Sequence, residues 1–204
     1  MALTYTPATD LTFKCPDFSL PVANSPTTTN SNREIHFSSF WKEQFLDKTT
    51  VSPKALLIVF WCNHCPYIVH IREAFSLFVE KNKSKGLITL AINSNDTEKY
   101  PEDSFEKMQE YSTKYHYPYL YLWDKTQEVA KSFGAVCTPD FFLFKEDLSL
   151  FYRGQFCSSR PGSTVSPSGE SLQLAFNSLL EGQRLSAKVL PSCGCNIKWK
   201  TSIN

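Results

Sequence analysis

The run Ala55-Leu56-Leu57-Ile58-Val59-Phe60 constrains the fold of this chain more than any other segment. Six consecutive apolar residues, with Pro53 before them and a polar motif after, read as a strand buried on both faces. From Pro66 to Lys83 the apolar positions Ile68, Ile71, Phe75, Phe78 and Val79 recur at helical spacing, with Arg72, Glu73 and Lys81 among the polar ones. Leu87 to Ile92 is a second buried strand. Strand, helix and strand in succession form a βαβ unit, whose right-handed crossover puts the two strands in one parallel sheet.

The rest of the chain extends that unit. Ser104 to Tyr115 reads as a helix, Pro118 to Trp123 as a third parallel strand, and Thr126 to Phe133 as a helix ended by Gly134. Phe141 to Phe144 and Leu150 to Arg153 flank the turn Lys145-Glu146-Asp147 as a hairpin, and Ser171 to Glu181 closes with a helix. Residues 1–50 read as an N-terminal extension. In it, Phe13 to Leu20 holds a short strand limited by Pro16 and Pro21, Asn24 to Asn32 a polar loop, and Phe37, Phe40, Trp41 and Phe45 a short helix. Residues 183–204 form a tail without periodicity. No internal repeat is visible, so residues 1–204 are expected to make one α/β domain with a central mixed sheet flanked by helices.

Between the first strand and its helix stands Trp61-Cys62-Asn63-His64-Cys65-Pro66. A strand that delivers Cys-x-x-Cys to a helix start places thiols where amides and the helix dipole stabilise a thiolate, the nucleophile of disulfide exchange. Cys62, at the exposed end of the pair, is expected to attack, and Cys65, one turn deeper, to resolve. An imidazolium at His64 would add to the dipole in lowering the thiol pKa; otherwise His64 is a solvated first-turn residue. Asn63 reads as the N-cap, with Pro66 inside the first turn, where its missing N–H costs nothing.

The order βαβ, helix, Thr138-Pro139, hairpin and closing helix resembles the thioredoxin superfamily, and the two motifs that carry it are Trp61 to Cys65 and Thr138-Pro139. The resemblance implies that Pro139 is cis, lies against the cysteine pair and keeps metals off it. It also implies that Thr138 offers its backbone to an incoming peptide as a strand edge. Trp61 matches the tryptophan before the thioredoxin pair and would join the docking surface, although a core aromatic fits the residues equally. A narrower set of segments is similar to a bacterial thioredoxin-family or peroxiredoxin-like (AhpC/TSA-like) group. These are Cys62 to Tyr67 (CNHCPY), Ala91 to Asp96, Tyr100 to Met108, Gln127 to Phe144, Arg160 to Ser163 and Gly194 to Lys200, with Pro16-Asp17-Phe18.

Two departures narrow the chemistry. Thioredoxins carry a buried acid six residues before the first cysteine, where this chain has Leu56. A peroxiredoxin needs Pro-x-x-x-Thr/Ser-x-x-Cys; counting back from Cys62 gives Val59 and Ala55, and from Cys65 gives Cys62 and Ile58. No Arg lies near Thr138-Pro139 in sequence, although Arg153 could fold close to it.

Seven cysteines at irregular spacing argue against a secreted disulfide framework. Cys137 is expected near the pair, most simply as a small packed side chain, and Cys15 and Cys157 as structural residues. Cys193-Gly194-Cys195 would serve either as an electron relay or as an inert tail. Cys62, Cys65, Cys193 and Cys195 could together hold zinc, but structural zinc pairs sit on knuckle loops rather than between a strand and a helix. The net charge of +1 gives no reason to expect nucleic acid or an anionic membrane as partner. The N-terminus lacks a basic head with an apolar run, and no segment approaches the ~20 apolar residues of a membrane span, so the expected location is the cytoplasm.

The sequence therefore predicts a thiol–disulfide oxidoreductase that uses Cys62 and Cys65 without cofactor or metal. Its partners would be protein or small-molecule disulfides and thiols, with a thioredoxin or glutathione system as electron donor. The competing readings are a thiol-dependent peroxidase and a non-enzymatic module that binds metal or protein.

Overall fold

The computed structural model describes residues 3–7, 10–24, 33–47, 51–185 and 188–201. Its elements in chain order are β1 (Leu3–Tyr5), β2 (Ser19–Pro21), β3 (Glu34–His36), α1 (Phe37–Glu43), β4 (Ala55–Phe60), α2 (Pro66–Lys83), β5 (Leu87–Asn93), a 3-10 turn at Pro101–Asp103 and α3 (Phe105–Lys114). There follow β6 (Leu120–Trp123), α4 (Glu128–Phe133), β7 (Cys137–Thr138), β8 (Asp140–Lys145), β9 (Leu150–Gly154), α5 (Glu170–Leu180) and β10 (Cys193–Asn196). The loop expected over 24–32 lies outside the described residues apart from Asn24, whose amide bonds Tyr119 O and Tyr121 N–H beside β6.

The main sheet runs β6-β5-β4-β8-β9, with β4, β5 and β6 parallel, β8 antiparallel to β4, and β9 antiparallel to β8. It is the mixed, helix-flanked sheet that the sequence predicts, in a thioredoxin-like arrangement. Because side chains alternate across a strand, β4 feeds two cores. Ala55, Leu57 and Val59 pack with Ile68, Phe75 and Phe176 under α2 and α5. Leu56, Ile58 and Phe60 face Phe133 of α4 together with Phe18, Leu20, Phe37 and Trp41 of the N-terminal segment. The N-terminal segment thus covers one face of the sheet.

The tail is more structured than its sequence suggests. β10 lies between β1 and β7, pairing Cys195 with Leu3 on one side and with Thr138 on the other. Beyond it Ile197 is buried, and Lys198 bonds Asn95 Oδ1 through its N–H and accepts from Asp96 N–H and Gln127 Nε2 through its carbonyl. Ala91 to Asp96 and the tail, two of the segments singled out above, are therefore in contact. The thiol motif follows the C-terminal end of β4, and the loop before β8 and the tail strand close over it.

Candidate active site

Thr138 and Pro139 join through a cis peptide bond, as the resemblance implies. Thr138 touches both thiols. Cys62 Sγ is 3.3 Å from Thr138 Oγ1, and the Cys65 thiol donates to Thr138 O at 3.3 Å. Strand, helix start and cis-proline turn thus bring Cys62, Cys65 and Thr138 together.

The N-cap of α2 is Cys65 rather than Asn63, and Pro66 takes the first helical position. Asn63 is fully committed elsewhere. Its N–H donates to Asp103 Oδ1 at 2.7 Å and its side-chain amide to Glu102 O at 2.8 Å; Tyr121 OH donates to its Oδ1 and Arg72 to its backbone carbonyl. Asp103 anchors this network from complete burial: its Oδ2 also accepts from Asn95 Nδ2 at 2.7 Å and pairs with His64 Nδ1 at 2.8 Å. Lys99 to Glu110 mixes charge signs and by sequence alone is most simply a solvated face; the 3-10 turn at Pro101–Asp103 turns Asp103 inward.

His64 is half-buried between Asp103 and the Tyr100 ring, stacked on the latter with ring centroids 5.8 Å apart. The 2.8 Å pairing with the Asp103 carboxylate raises its pKa, against the effect of partial burial. A raised folded-state value means stability that is fully present below the unfolded pKa of about 6.5 and is lost as pH rises through the folded value. His64→Ala should therefore destabilise the protein most at mildly acidic pH and less at pH 8.5. Urea unfolding at the two pH values measures the difference; an equal loss at both would remove the ion pair as its cause.

The two thiols are not equivalent. Cys62 is as buried as Cys65, which corrects the expectation of an exposed attacking sulfur: Thr138 and the Asp103 turn close over it. Burial, with the Cys65 sulfur and the Asp103 charge, pushes the Cys62 thiol up. Cys65 is pushed down, because the Cys195 and Cys62 thiols and the Ile68 and Cys195 amides can all donate to its sulfur. When the cluster loses a proton, the charge therefore settles on Cys65 at the start of the helix, in place of its bond to Thr138 O.

Two other expected site residues are placed differently. Trp61 is wholly buried, packed on Phe75 and Tyr119 with ring centroids 5.1 and 6.2 Å away, so it belongs to the core and offers no docking surface. The edge of Thr138 is not open to an incoming peptide, because β10 of the same chain already pairs with it.

Sequence reasoning also missed a buried acid. Asp140, directly after Pro139 and opposite Phe60, binds Arg153 at 2.7 Å. Burial pushes its carboxyl up to about 6 against the pull of Arg153. Arg153, the arginine that could fold near Thr138-Pro139, is committed to Asp140 and to Gly134 O. The ligand atoms of Cys62, His64 and Asp103 lie within 4.8 Å of one another, but both Asp103 oxygens already accept hydrogen bonds from protein N–H groups. Burial pushes the Cys193 thiol up against the pull of the Arg160 charge.

A mixed sheet that delivers Cys-x-x-Cys to a helix start against a cis-proline turn defines the thioredoxin superfamily. The sequence matches the AhpC/TSA family over residues 12–153, and the chain belongs to that family. It is similar throughout to a hypothetical protein from Sinorhizobium meliloti, with 36% identity, 98% of this chain and 100% of that one covered, and a TM-score of 0.86. An uncharacterized conserved protein from Geobacillus kaustophilus is 38% identical, with coverage of 99% and 98% and a TM-score of 0.85. A secreted Mycobacterium tuberculosis disulfide oxidoreductase homologous to E. coli DsbE shares the fold at 15% identity, with coverage of 79% and 95% and a TM-score of 0.54. No protein of curated function matches the chain.

Proposed function

We propose that the protein is a thiol–disulfide oxidoreductase whose redox pair is Cys62–Cys65. The observation that carries this reading is the contact of both sulfurs with Thr138 at the cis-proline turn, with donors gathered on Cys65. Cys65 interacts with both Cys62 and Cys195, which makes Cys62 the sulfur that meets substrate and Cys65 the one that resolves. The substrates are protein or low-molecular-weight disulfides and thiols, a thioredoxin or glutathione system supplies electrons, and the site of action is the cytoplasm. His64, half-exposed beside the pair, borders the approaching substrate.

A stabilised thiolate favours the dithiol form and makes a pair more oxidising. Titration of Cys62–Cys65 against glutathione buffers should therefore give a potential above the about −270 mV of thioredoxin and below the about −120 mV of the strongest oxidant of this fold. A pair that does not oxidise and reduce reversibly would overturn the reading.

Membership of the AhpC/TSA family supports a second reading, thiol-dependent peroxide reduction. Against it, the motif positions Ala55 and Val59 are core residues of β4, and Arg153 is held by Asp140. Peroxide consumption no faster than that of free cysteine would eliminate it.

A further inference from the structure

Building on the oxidoreductase reading, we infer that Cys195 is a third redox cysteine, which takes over the disulfide from the Cys62–Cys65 pair by bonding to Cys65. Three geometric facts meet at this point. β10 pairs Cys195 with Thr138, the residue whose carbonyl accepts the Cys65 thiol at 3.3 Å. Cys62, Cys65 and Cys195 are packed in one buried cluster, and the Cys65 and Cys195 thiols shift each other's acidity in opposite directions, as interacting neighbours do. Gly194 makes the approach possible: a Cβ there would overlap the Thr138 carbonyl oxygen and come within 2.7 Å of its carbon.

The tail is built to hold this position. On one side Ser192 donates to Gly154 O and accepts from Thr6 N–H; on the other Ile197 N–H bonds Val136 O and Lys198 is tied to Asn95 and Gln127. Anchored at both ends, Cys195 is presented to Cys65 as a fixed neighbour.

The exchange balances as follows. Reduction of a substrate disulfide to two thiols leaves Cys62–Cys65 oxidised. The Cys195 thiol loses its proton and attacks Cys65 Sγ. The Cys65–Cys195 bond forms, the Cys62–Cys65 bond breaks, and the Cys62 thiolate takes up a proton. No electrons are gained or lost in this step. Cys62 is returned as a thiol while the oxidation is stored on the tail strand, from which an external thiol donor removes it.

The test is a disulfide map of the full chain. Cys62→Ser is oxidised with glutathione disulfide, quenched in acid, alkylated, digested and analysed by mass spectrometry. The expected result is loss of alkylation at Cys65 and Cys195 together, with recovery of their peptides as one linked species, unchanged by adding Cys193→Ser. Glutathione or a second chain on Cys65, with Cys195 still alkylated, overturns the inference. Should Cys62→Ser fail to melt cooperatively, wild type oxidised with substoichiometric glutathione disulfide decides. The Cys65–Cys195 peptide then supports the inference, and its absence beside abundant Cys62–Cys65 refutes it. Reduction of insulin by wild type reports separately on the oxidoreductase reading, so that either can fail alone.

Discussion

Cys62→Ser is expected to cut disulfide reduction by at least about a thousandfold, because the bond to substrate is made by that sulfur and a serine hydroxyl at neutral pH does not replace it. Cys65→Ser should lose turnover to a similar degree but in a different way. Cys62 still attacks, nothing resolves the product, and a mixed disulfide with substrate accumulates. Cys195 does not rescue it, since its thiol interacts with that of Cys65. The measurement is insulin or glutathione-disulfide reduction for both variants, with non-reducing gels for the trapped species. If Cys62→Ser rather than Cys65→Ser accumulates the adduct, the roles are reversed and the sulfur carrying the negative charge is itself the attacking one. If both variants reduce insulin at the wild-type rate, the pair is not the redox centre.

Much of the architecture was legible because it rests on local patterns. The unbroken apolar run of β4, the helical spacing of Ile68, Ile71, Phe75 and Val79, and Gly134 after α4 each report backbone state without reference to distant residues. Ser104, read from the sequence as the first residue of a helix, is the N-cap of α3 and accepts from Lys107 N–H. The failures occur where tertiary contacts override local preference. Asn63 is a good N-cap residue, but its groups bond Glu102, Asp103 and Tyr121, and the helix begins at Cys65 instead. β10 holds four residues with a glycine inside, and only its pairing on both sides makes it a strand. Trp61 could be core or surface by sequence alone, and the rings of Phe75 and Tyr119 decide for the core.

The buried acids were the least legible part of the site. Asp103 lies in a stretch of mixed charge that reads as solvent-facing, and Asp140 follows a proline and opens a strand whose next four residues are Phe and Leu. Neither has a spacing signal. Each is buried because specific donors converge on it: Asn63, Asn95 and His64 on Asp103, Arg153 on Asp140. A polar residue next to a motif, with several Asn residues nearby in sequence, is the one hint available beforehand. Asn93, Asn95 and Asp96 supply it here.

Asp103→Ala should be the most destabilising substitution near the thiols, with reactivity moving in the opposite direction. Its loss strips the acceptor from the buried Asn63 N–H and the Asn95 amide, and each unsatisfied buried donor costs about 1–3 kcal/mol. The bond from Asn93 Nδ2 goes to the Asp103 backbone carbonyl and survives. The expected loss is about 2–5 kcal/mol, with the lower end reached if water enters the space left behind. Asp103→Asn should lose less, since its oxygen can still accept from Asn63 N–H while its NH2 is turned toward the Asn95 amide, donor against donor. Urea unfolding should thus rank wild type above Asp103→Asn, and that variant above Asp103→Ala. Burial is the larger cause of the high Cys62 pKa, and the Asp103 charge adds to it. Among molecules that remain folded, both substitutions should therefore speed alkylation of Cys62 by iodoacetamide and move its pH midpoint down. An unchanged midpoint would show that burial and the Cys65 sulfur hold this thiol neutral without the Asp103 charge, and that Asp103 serves only to pin the loop between β4 and α2.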